Sequence, residues 1–458
     1  MKRLVLAFGA VVLLSLGICG LILTLRVQHQ ATAMRRFIAS GPSSLAGEEA
    51  AARQAGIALN TPLERNPLLP PAQNAAPLLT DLTNVLTKNP MILPVYGGGM
   101  DVFHHYRPQQ ISETQKILAR RQDVMTLVHR AAGRSGCDFA RDWSQGINLK
   151  FPEYQKMREA TRLLKTESYL QAQAGDYRGA VKNQALGFRV TQNAASDHIL
   201  ISFLVGTARA DGTLSGMQSV LIQAGPNAAV DAQVGEIVSR LTPQLSLHAA
   251  MAGKTGRNCL LFTKMHQSEQ YGVSASLNAC GLDETAARPI QISSEEKRNP
   301  HALIDAWEAD YLAHMTPLVQ ACDKPRVVRR QAFSAAEKTL DRESRDSAGM
   351  THLLKGIMAP VFTKIDITQT RTQSREAITP AAAYLLGDKA KTGSYPAVLP
   401  PRFTDPFSGK PLGYRREGAD GFVVYSAGSE GNFDGGNLGE KTPPTESLFR
   451  YPPAPPLP

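Results

Sequence analysis

The sequence lacks the short motifs that mark several large enzyme classes. Its five cysteines include no C-x-x-C pair, so neither thioredoxin chemistry nor a zinc-ribbon site is indicated. It also has no H-E-x-x-H and no G-x-S-x-G motif, which metalloproteases and serine hydrolases use. Gly253-Lys254-Thr255 imitates half of a phosphate-binding loop, but His248 stands where the first glycine is required. We therefore expect no nucleotide partner and predict no catalytic residues.

Positive charge is concentrated at the amino terminus. The formal net charge is +10, but residues 1–36 contain five basic residues and no acidic residue. The rest of the chain carries 45 basic and 40 acidic groups, which is too weak an excess to indicate a surface for nucleic acid. With 43% hydrophobic and 20% charged residues, the composition is that of a globular protein.

One hydrophobic run, Leu4–Leu25, is long enough to cross a membrane. Its 22 residues carry no charge and would form a helix of roughly 33 Å, against a hydrocarbon core of about 30 Å. A signal peptide cleaved after Ala31-Thr32-Ala33 is the alternative, but its apolar region is normally shorter. We predict a retained single-pass anchor in the cell membrane, with the bulk of the chain extracytoplasmic, either periplasmic or at the cell surface.

Four cysteines lie beyond this anchor. In an oxidising compartment they could form two disulfides, in any of three pairings, or they could be buried thiols. The four are Cys137, Cys259, Cys280 and Cys322.

The remaining sequence is predicted to be mainly α, with an irregular helical bundle or solenoid-like body and a small α+β module at its carboxyl end. Ser112 and Gln115 have the spacing of a capping box for a helix that ends at Gly133. Asp211-Gly212 indicates a helix break. The predicted regions are 1–3 cytoplasmic tail, 4–25 anchor, 26–110 proline-rich spacer with a short helix at 77–88, 111–379 helical domain, 380–440 α+β module, and 441–458 disordered proline-rich tail.

Two further helices are predicted at 152–174 and from Tyr177 to about Gln192. Gly175-Asp176-Tyr177 followed by Ala180 resembles the turn inside a tetratricopeptide hairpin, where a small residue lets two helices approach closely. Only one copy is visible, so we predict a local helical hairpin.

The carboxyl-terminal module combines a helix from Pro380 to Lys391 with strands at 412–416 and 422–426. Over residues 382–436 it resembles the globular end of the major pseudopilins of type II secretion. The motifs that carry the resemblance are Gly393-Ser394-Tyr395-Pro396, Asp405-Pro406-Phe407-Ser408-Gly409-Lys410-Pro411 and Tyr425-Ser426-Ala427-Gly428.

The resemblance implies a calcium site in the loop after the last strand. The matching ligands are the carboxylates of Glu430 and Asp434 and the main-chain carbonyl of Ser426. Oxygen donors of this kind suit Ca²⁺, and glycines let carbonyls turn toward the ion.

The amino-terminal part departs from the pseudopilins, because residues 4–25 contain no glutamate and no leader glycine precedes them. The layout as a whole resembles a loose class of uncharacterised bacterial envelope proteins. We predict a membrane-anchored extracytoplasmic binding or assembly protein with a protein partner. The alternatives are a structural secretion component related to pseudopilins and an envelope hydrolase whose site residues meet only in the fold.

Overall fold

The computed structural model describes residues 44–59, 69–95, 106–143, 149–197, 199–240, 245–267, 300–346, 362–429, 431 and 447–453. The described chain is mainly helical and includes one small antiparallel sheet, as predicted. Within these ranges no helix combines the length and the apolar character needed to cross a membrane. The predicted anchor at 4–25 lies outside them.

Twelve helices and three strands follow one another along the described residues. They are α1 Leu45–Gln54, α2 Ala76–Lys88, α3 Pro108–Arg120, α4 Gln122–Ala132, α5 Pro152–Gln173, α6 Tyr177–Ala195, α7 Leu200–Ala224, α8 Ala228–Ser239, α9 Leu247–Gln267, α10 Pro300–Ala321, α11 Arg326–Asp346, α12 Phe362–Thr392, β1 Gly413–Glu417, β2 Gly421–Tyr425 and β3 Leu448–Tyr451.

The described residues form two compact units. The first draws on the ranges 1–63, 143–149 and 255–362, and the second on 64–142, 150–254 and 363–458.

In the first unit, α1 and α11 pack against α10. Its interior is aromatic, with the rings of Phe333 and Phe362 5.5 Å apart. Tyr311 is almost fully buried, and its hydroxyl accepts a hydrogen bond from Asn258 Nδ2 at 2.8 Å.

In the second unit, α3 begins earlier than the capping box at Ser112 predicted. Pro108 occupies the first turn, where its missing N–H removes no helical hydrogen bond. The main-chain N–H of Arg107 donates to Gln110 Oε1 at 2.9 Å and so closes the helix end. The predicted capping role of Ser112 was therefore wrong. The single helix predicted up to Gly133 is divided at Arg121 into α3 and α4, and only its end before Gly133 is confirmed.

The turn between α5 and α6 follows the prediction. Gly175 has φ +82°, a conformation that side chains disfavour, and the Asp176 carboxylate accepts from the N–H of Gly179 at 2.9 Å. Fully buried Ala180 lets Ser168 Oγ donate to its carbonyl at 2.8 Å. The small residue thus permits the close approach of the two helices.

The break predicted at Asp211-Gly212 is wrong, since α7 continues to Ala224 and ends before Gly225, where φ is +59°. A glycine inside a helix costs about 1 kcal/mol relative to alanine. The complete burial of the Leu214 and Met217 side chains offsets this cost.

Helix α12 likewise begins before the predicted start at Pro380. An internal proline costs about 3 kcal/mol, but the helix buries Ile378, Leu385 and Leu386 completely. These side chains share one hydrophobic core with residues of α6, α7, α8 and the sheet. The predicted limit between residues 379 and 380 consequently falls inside α12 and its core.

The predicted hairpin is confirmed as β1 and β2, which pair antiparallel with Tyr414 opposite Val424. The prediction of a disordered tail at 441–458 was wrong for residues 448–451, which form β3 and place Phe449 opposite Val424. Phe449 is 1% exposed and its ring lies 5.8 Å from that of Phe422. Although the segment is rich in proline, its buried Phe449 holds residues 448–451 against the sheet as a third strand.

The described cysteines are thiols rather than disulfides. Cys137 and Cys259 are buried, and burial raises the pKa of both thiols. Cys322 donates from Sγ to the carbonyl of Leu318 at 3.2 Å. Cys280 lies outside the described residues.

Candidate functional site

Of the three predicted calcium ligands, the structure describes only Ser426, because Glu430 and Asp434 lie outside the described residues. Ser426 is fully buried and its hydroxyl donates to Asp405 Oδ1 at 2.6 Å. With the hydroxyl engaged, the main-chain carbonyl is the atom of Ser426 that fits the predicted ligand role.

Asp405, from the Asp-Pro-Phe motif, is fully buried, and its carboxylate accepts hydrogen bonds from several parts of the module. Its carboxylate also accepts from Ser408 Oγ at 2.6 Å and from the N–H groups of Phe407, Ser408 and Ala427 at 3.0–3.3 Å. Ser426 Oγ additionally lies 3.2 Å from Ser374 Oγ on α12. The carboxylate therefore connects the turn, the end of β2 and, through Ser426, the long helix.

Among the described residues, no three histidine, cysteine or acidic side chains are grouped so as to hold a metal ion. In the first unit, the rings of His266 and His301 stack with their Nδ1 atoms 2.9 Å apart. His266 Nε2 also lies 3.0 Å from Asp305 Oδ1. The short Nδ1 distance indicates that one imidazole donates to the other.

Charged groups of α5, α7 and α12 meet in the second unit, and we call this group the charged seam. It consists of Arg158, Arg162 and Lys165 of α5, Arg209, Asp211 and Ser215 of α7, and Arg375 and Glu376 of α12.

Helix register explains why the α5 and α7 residues meet. Lys165 contacts Ser215, and Gln173 contacts Gln223, so both contacts join residues fifty positions apart. The two helices therefore run in the same direction and stay aligned. On α5, positions spaced by four and then three residues share a face.

Lys165 is a buried cation in this seam. It is 9% exposed, and its Nζ lies 3.2 Å from Ser215 Oγ. Burial, followed by the positive charge of Arg375, lowers the pKa of Lys165 to about 7, although Asp211 opposes the change.

The seam contains two acidic groups, Asp211 of α7, which pairs with a residue of α12, and Glu376 of α12 itself. Arg375 donates to Asp211 Oδ2 at 3.2 Å. Glu376, next along α12, is partly buried, and this burial, followed by the negative charge of Asp211, raises its pKa to about 7.

Arg209 lies near two like charges. Burial lowers its pKa to about 10, and the nearby guanidinium groups of Arg158 and Arg162 act in the same direction, against Asp211. Arg158 and Arg162 are exposed, whereas Arg209 is half-buried. Its Nε is buried and contacts no hydrogen-bond acceptor in the described part of the chain.

Two kinds of chemistry are conceivable for the charged seam. A lysine with a pKa near 7 beside a serine resembles a base and its nucleophile. Ser215, however, is only 2% exposed, so a substrate could not reach Oγ without displacing the helices. The exposed arginines, in contrast, are accessible to a ligand, and their charge favours an anion.

Sequence reasoning missed the charged seam. The spacing of Arg158, Arg162 and Lys165 along α5 was visible as one helical face. Their partners on α7 lay beyond the break that we predicted at Asp211-Gly212, and those on α12 are more than a hundred residues further along the chain.

Comparison of the chain with protein-family models, with curated proteins and with solved structures gives no match.

We predict that Lys165→Met changes the pH dependence of stability. The unfolded chain keeps the lysine proton up to about pH 10.5 and the folded chain releases it near 7, so wild-type stability should rise between these values. The rise should amount to on the order of 4 kcal/mol and be absent in the variant. Urea unfolding at several pH values measures it. Exposed Lys182→Met is the control and should behave like the wild type. Equal slopes for the wild type and Lys165→Met would contradict the assignment.

Proposed function

We propose that this chain is a membrane-anchored extracytoplasmic binding or assembly protein of the bacterial envelope. Residues 4–25 would hold it in the membrane as a single span, and the helical body would meet its partner. The support for an anchor is the length of the uncharged run in the sequence. The support for binding is the charged seam.

The observation that carries the binding proposal is the clustering of like charges on Arg158, Arg162 and Arg209. Like charges that repel one another reduce stability, and such arrangements are concentrated at sites that bind a ligand or react. The carboxylate of Asp211 pairs with Arg375 at 3.2 Å. A partner that brings negative charge would reduce the repulsion between the arginines.

A structural role in secretion is the second candidate, and one observation favours it. A long helix, α12, leads through the Asp405 turn into an antiparallel sheet, which is the order expected of the pseudopilin-like module. The buried position of Asp405 gives the Asp-Pro-Phe motif a structural purpose. If the module serves a filament, residues 1–10 should be cleaved and the chain should co-purify with secretion subunits.

Calcium is part of the proposal for the same module. Glu430 and Asp434 would supply carboxylates, and Ser426 its carbonyl, which lies where β2 has just ended. A bound Ca²⁺ would stabilise the loop and leave the hydrogen bonds of Asp405 in place.

The anchor is tested by membrane fractionation of the full-length chain. We expect it to sediment with membranes, to resist extraction by alkaline carbonate and to keep Met1 in mass spectrometry. Leu13→Arg should weaken insertion by about 3 kcal/mol, whereas Leu13→Ile should insert normally. Release of the wild type into the soluble fraction, or an amino terminus beyond Ala33, would contradict a retained anchor. Cleavage inside residues 1–10 would favour the secretion candidate.

Calcium binding is tested by thermal unfolding of the full-length chain with excess calcium and with chelator. Specific binding at 100 times the dissociation constant should add about 2.7 kcal/mol to stability. The increase should be lost in Asp434→Ala and kept in Asp420→Ala, which alters an exposed carboxylate of the same module that pairs with Lys389. No increase for the wild type, or equal loss in both variants, would contradict the site.

A further inference from the structure

Two imidazoles and a carboxylate meet in the first unit, where the end of α9 approaches the start of α10. His266 belongs to the last turn of α9, and His301 and Asp305 belong to the first two turns of α10. Because His301 and Asp305 are four positions apart, they project from the same face of that helix. The ring of His266 contacts both, with Nδ1 2.9 Å from His301 Nδ1 and Nε2 3.0 Å from Asp305 Oδ1.

The carboxylate of Asp305 determines which nitrogen of a neutral His266 carries the proton. A neutral imidazole has one N–H and an ionised carboxylate only accepts, so His266 Nε2 donates to Asp305 and Nδ1 keeps a lone pair. That lone pair faces His301 Nδ1. Histidines that bind metal ions are generally oriented in this way, by a carboxylate or carbonyl on the nitrogen that does not bind the metal.

The spacing of the two Nδ1 atoms is close to that of two ligands on one metal ion. Zinc–imidazole bonds are about 2.0–2.1 Å long, so two nitrogens on a tetrahedral ion are about 3.3 Å apart. From 2.9 Å the pair needs to open by only about 0.4 Å. His301 is exposed and His266 is partly exposed, so an ion can reach both rings from the solvent. Ligation then places the proton of a neutral His301 on Nε2.

Nearby carboxyl groups favour a cation at this place. Burial, followed by the negative charges of Glu49 and Asp305, raises the pKa of Glu308 to about 7, so these acidic groups lie within electrostatic range of one another. Glu49 also pairs with Arg53 at 2.9 Å. The carboxylate of Asp305 faces His266 instead, and its negative charge stabilises a cation held by that ring.

We propose that His266 and His301 bind one divalent metal ion of the zinc or copper type through their Nδ1 atoms. Imidazole nitrogen suits Zn²⁺ and Cu²⁺, whereas Ca²⁺ and Mg²⁺ prefer oxygen ligands. Asp305 is a positioning residue, which holds the ring of His266 and does not itself contact the ion. Water completes the coordination, since the described residues group no third side chain at the ion. The inference goes beyond the proposed binding function and needs neither the anchor nor the calcium site.

The test is calorimetric titration of the full-length chain in detergent with ZnCl₂, in a buffer that does not bind metal ions. We expect saturable one-to-one binding at neutral pH that weakens in acid, because protons compete for the imidazole nitrogens. Asp305→Asn should raise the dissociation constant by about tenfold, and His266→Gln and His301→Gln, which remove a ligand outright, by at least as much.

Electron paramagnetic resonance with Cu²⁺ separates the ligands from the positioning residue. The spectrum should show coupling to two imidazole nitrogens in the wild type. It should show coupling to one in His266→Gln and in His301→Gln. Asp305→Asn should keep both couplings although its affinity is lower, because its two ligands remain.

His129→Gln is the matched control, because His129 Nε2 contacts Glu167 Oε2 at 2.8 Å and so forms an imidazole–carboxylate pair in the second unit. It should bind Zn²⁺ like the wild type. Asp434→Ala should also bind normally, and excess Ca²⁺ should not displace Zn²⁺, since the calcium site is separate. Thermal unfolding without metal verifies that the variants fold, and glutamine at exposed position 301 should change stability little.

Three results would overturn the proposal. They are absence of saturable Zn²⁺ binding by the folded wild type, equal affinity in the two histidine variants and the control, and loss of binding in Asp434→Ala with binding retained in His301→Gln. None of them bears on membrane attachment, so failure of the metal site and failure of the proposed function are measured separately.

Discussion

The second unit depends on a carboxylate that is completely removed from water. An ionised aspartate in the interior costs several kcal/mol unless hydrogen bonds replace its hydration. Asp405 obtains them from two hydroxyl and three main-chain donors. Because one of those hydroxyls belongs to Ser426 and reaches Ser374, the carboxylate holds the sheet against α12. Phe422, Val424 and other apolar residues of the sheet then share one core with α6, α7 and α8.

The same helix links this buried junction to the charged seam. Ser374 is oriented toward the sheet, and the next residue, Arg375, pairs with Asp211 on α7. Successive helical residues project about 100° apart, so one turn of α12 serves both contacts. The seam itself is less favourable for stability, since Lys165 is buried with a lowered pKa beside other cations. The unit thus combines an aspartate whose hydrogen bonds are satisfied with a cluster in which burial and like charges lower the pKa of Lys165 and of Arg209.

Local signals predicted local structure well. The turn at Gly175 and the β1–β2 hairpin follow from glycine conformation and from aromatic and β-branched residues. The errors arose where distant packing overrides local preference, at the internal Pro380 of α12 and at the strand around Phe449. The hydroxyl of Ser426 donates to Asp405, a contact that the sequence did not predict, while its main-chain carbonyl stays the predicted calcium ligand. The charged seam was missed because its residues are brought together only by the fold.

We infer that the sheet and the helical layer fold as one cooperative body through Asp405. Native-state hydrogen exchange of Asp405→Asn tests it, with amides of α7 and β2 as separate probes. We expect both elements to lose equal stability, about 2–3 kcal/mol, because the hydrogen bonds to a charged acceptor are weakened. Asp420→Asn, an exposed change in the same module, should lose less than about 0.5 kcal/mol. Faster exchange in β2 with unchanged exchange in α7 would contradict the claim.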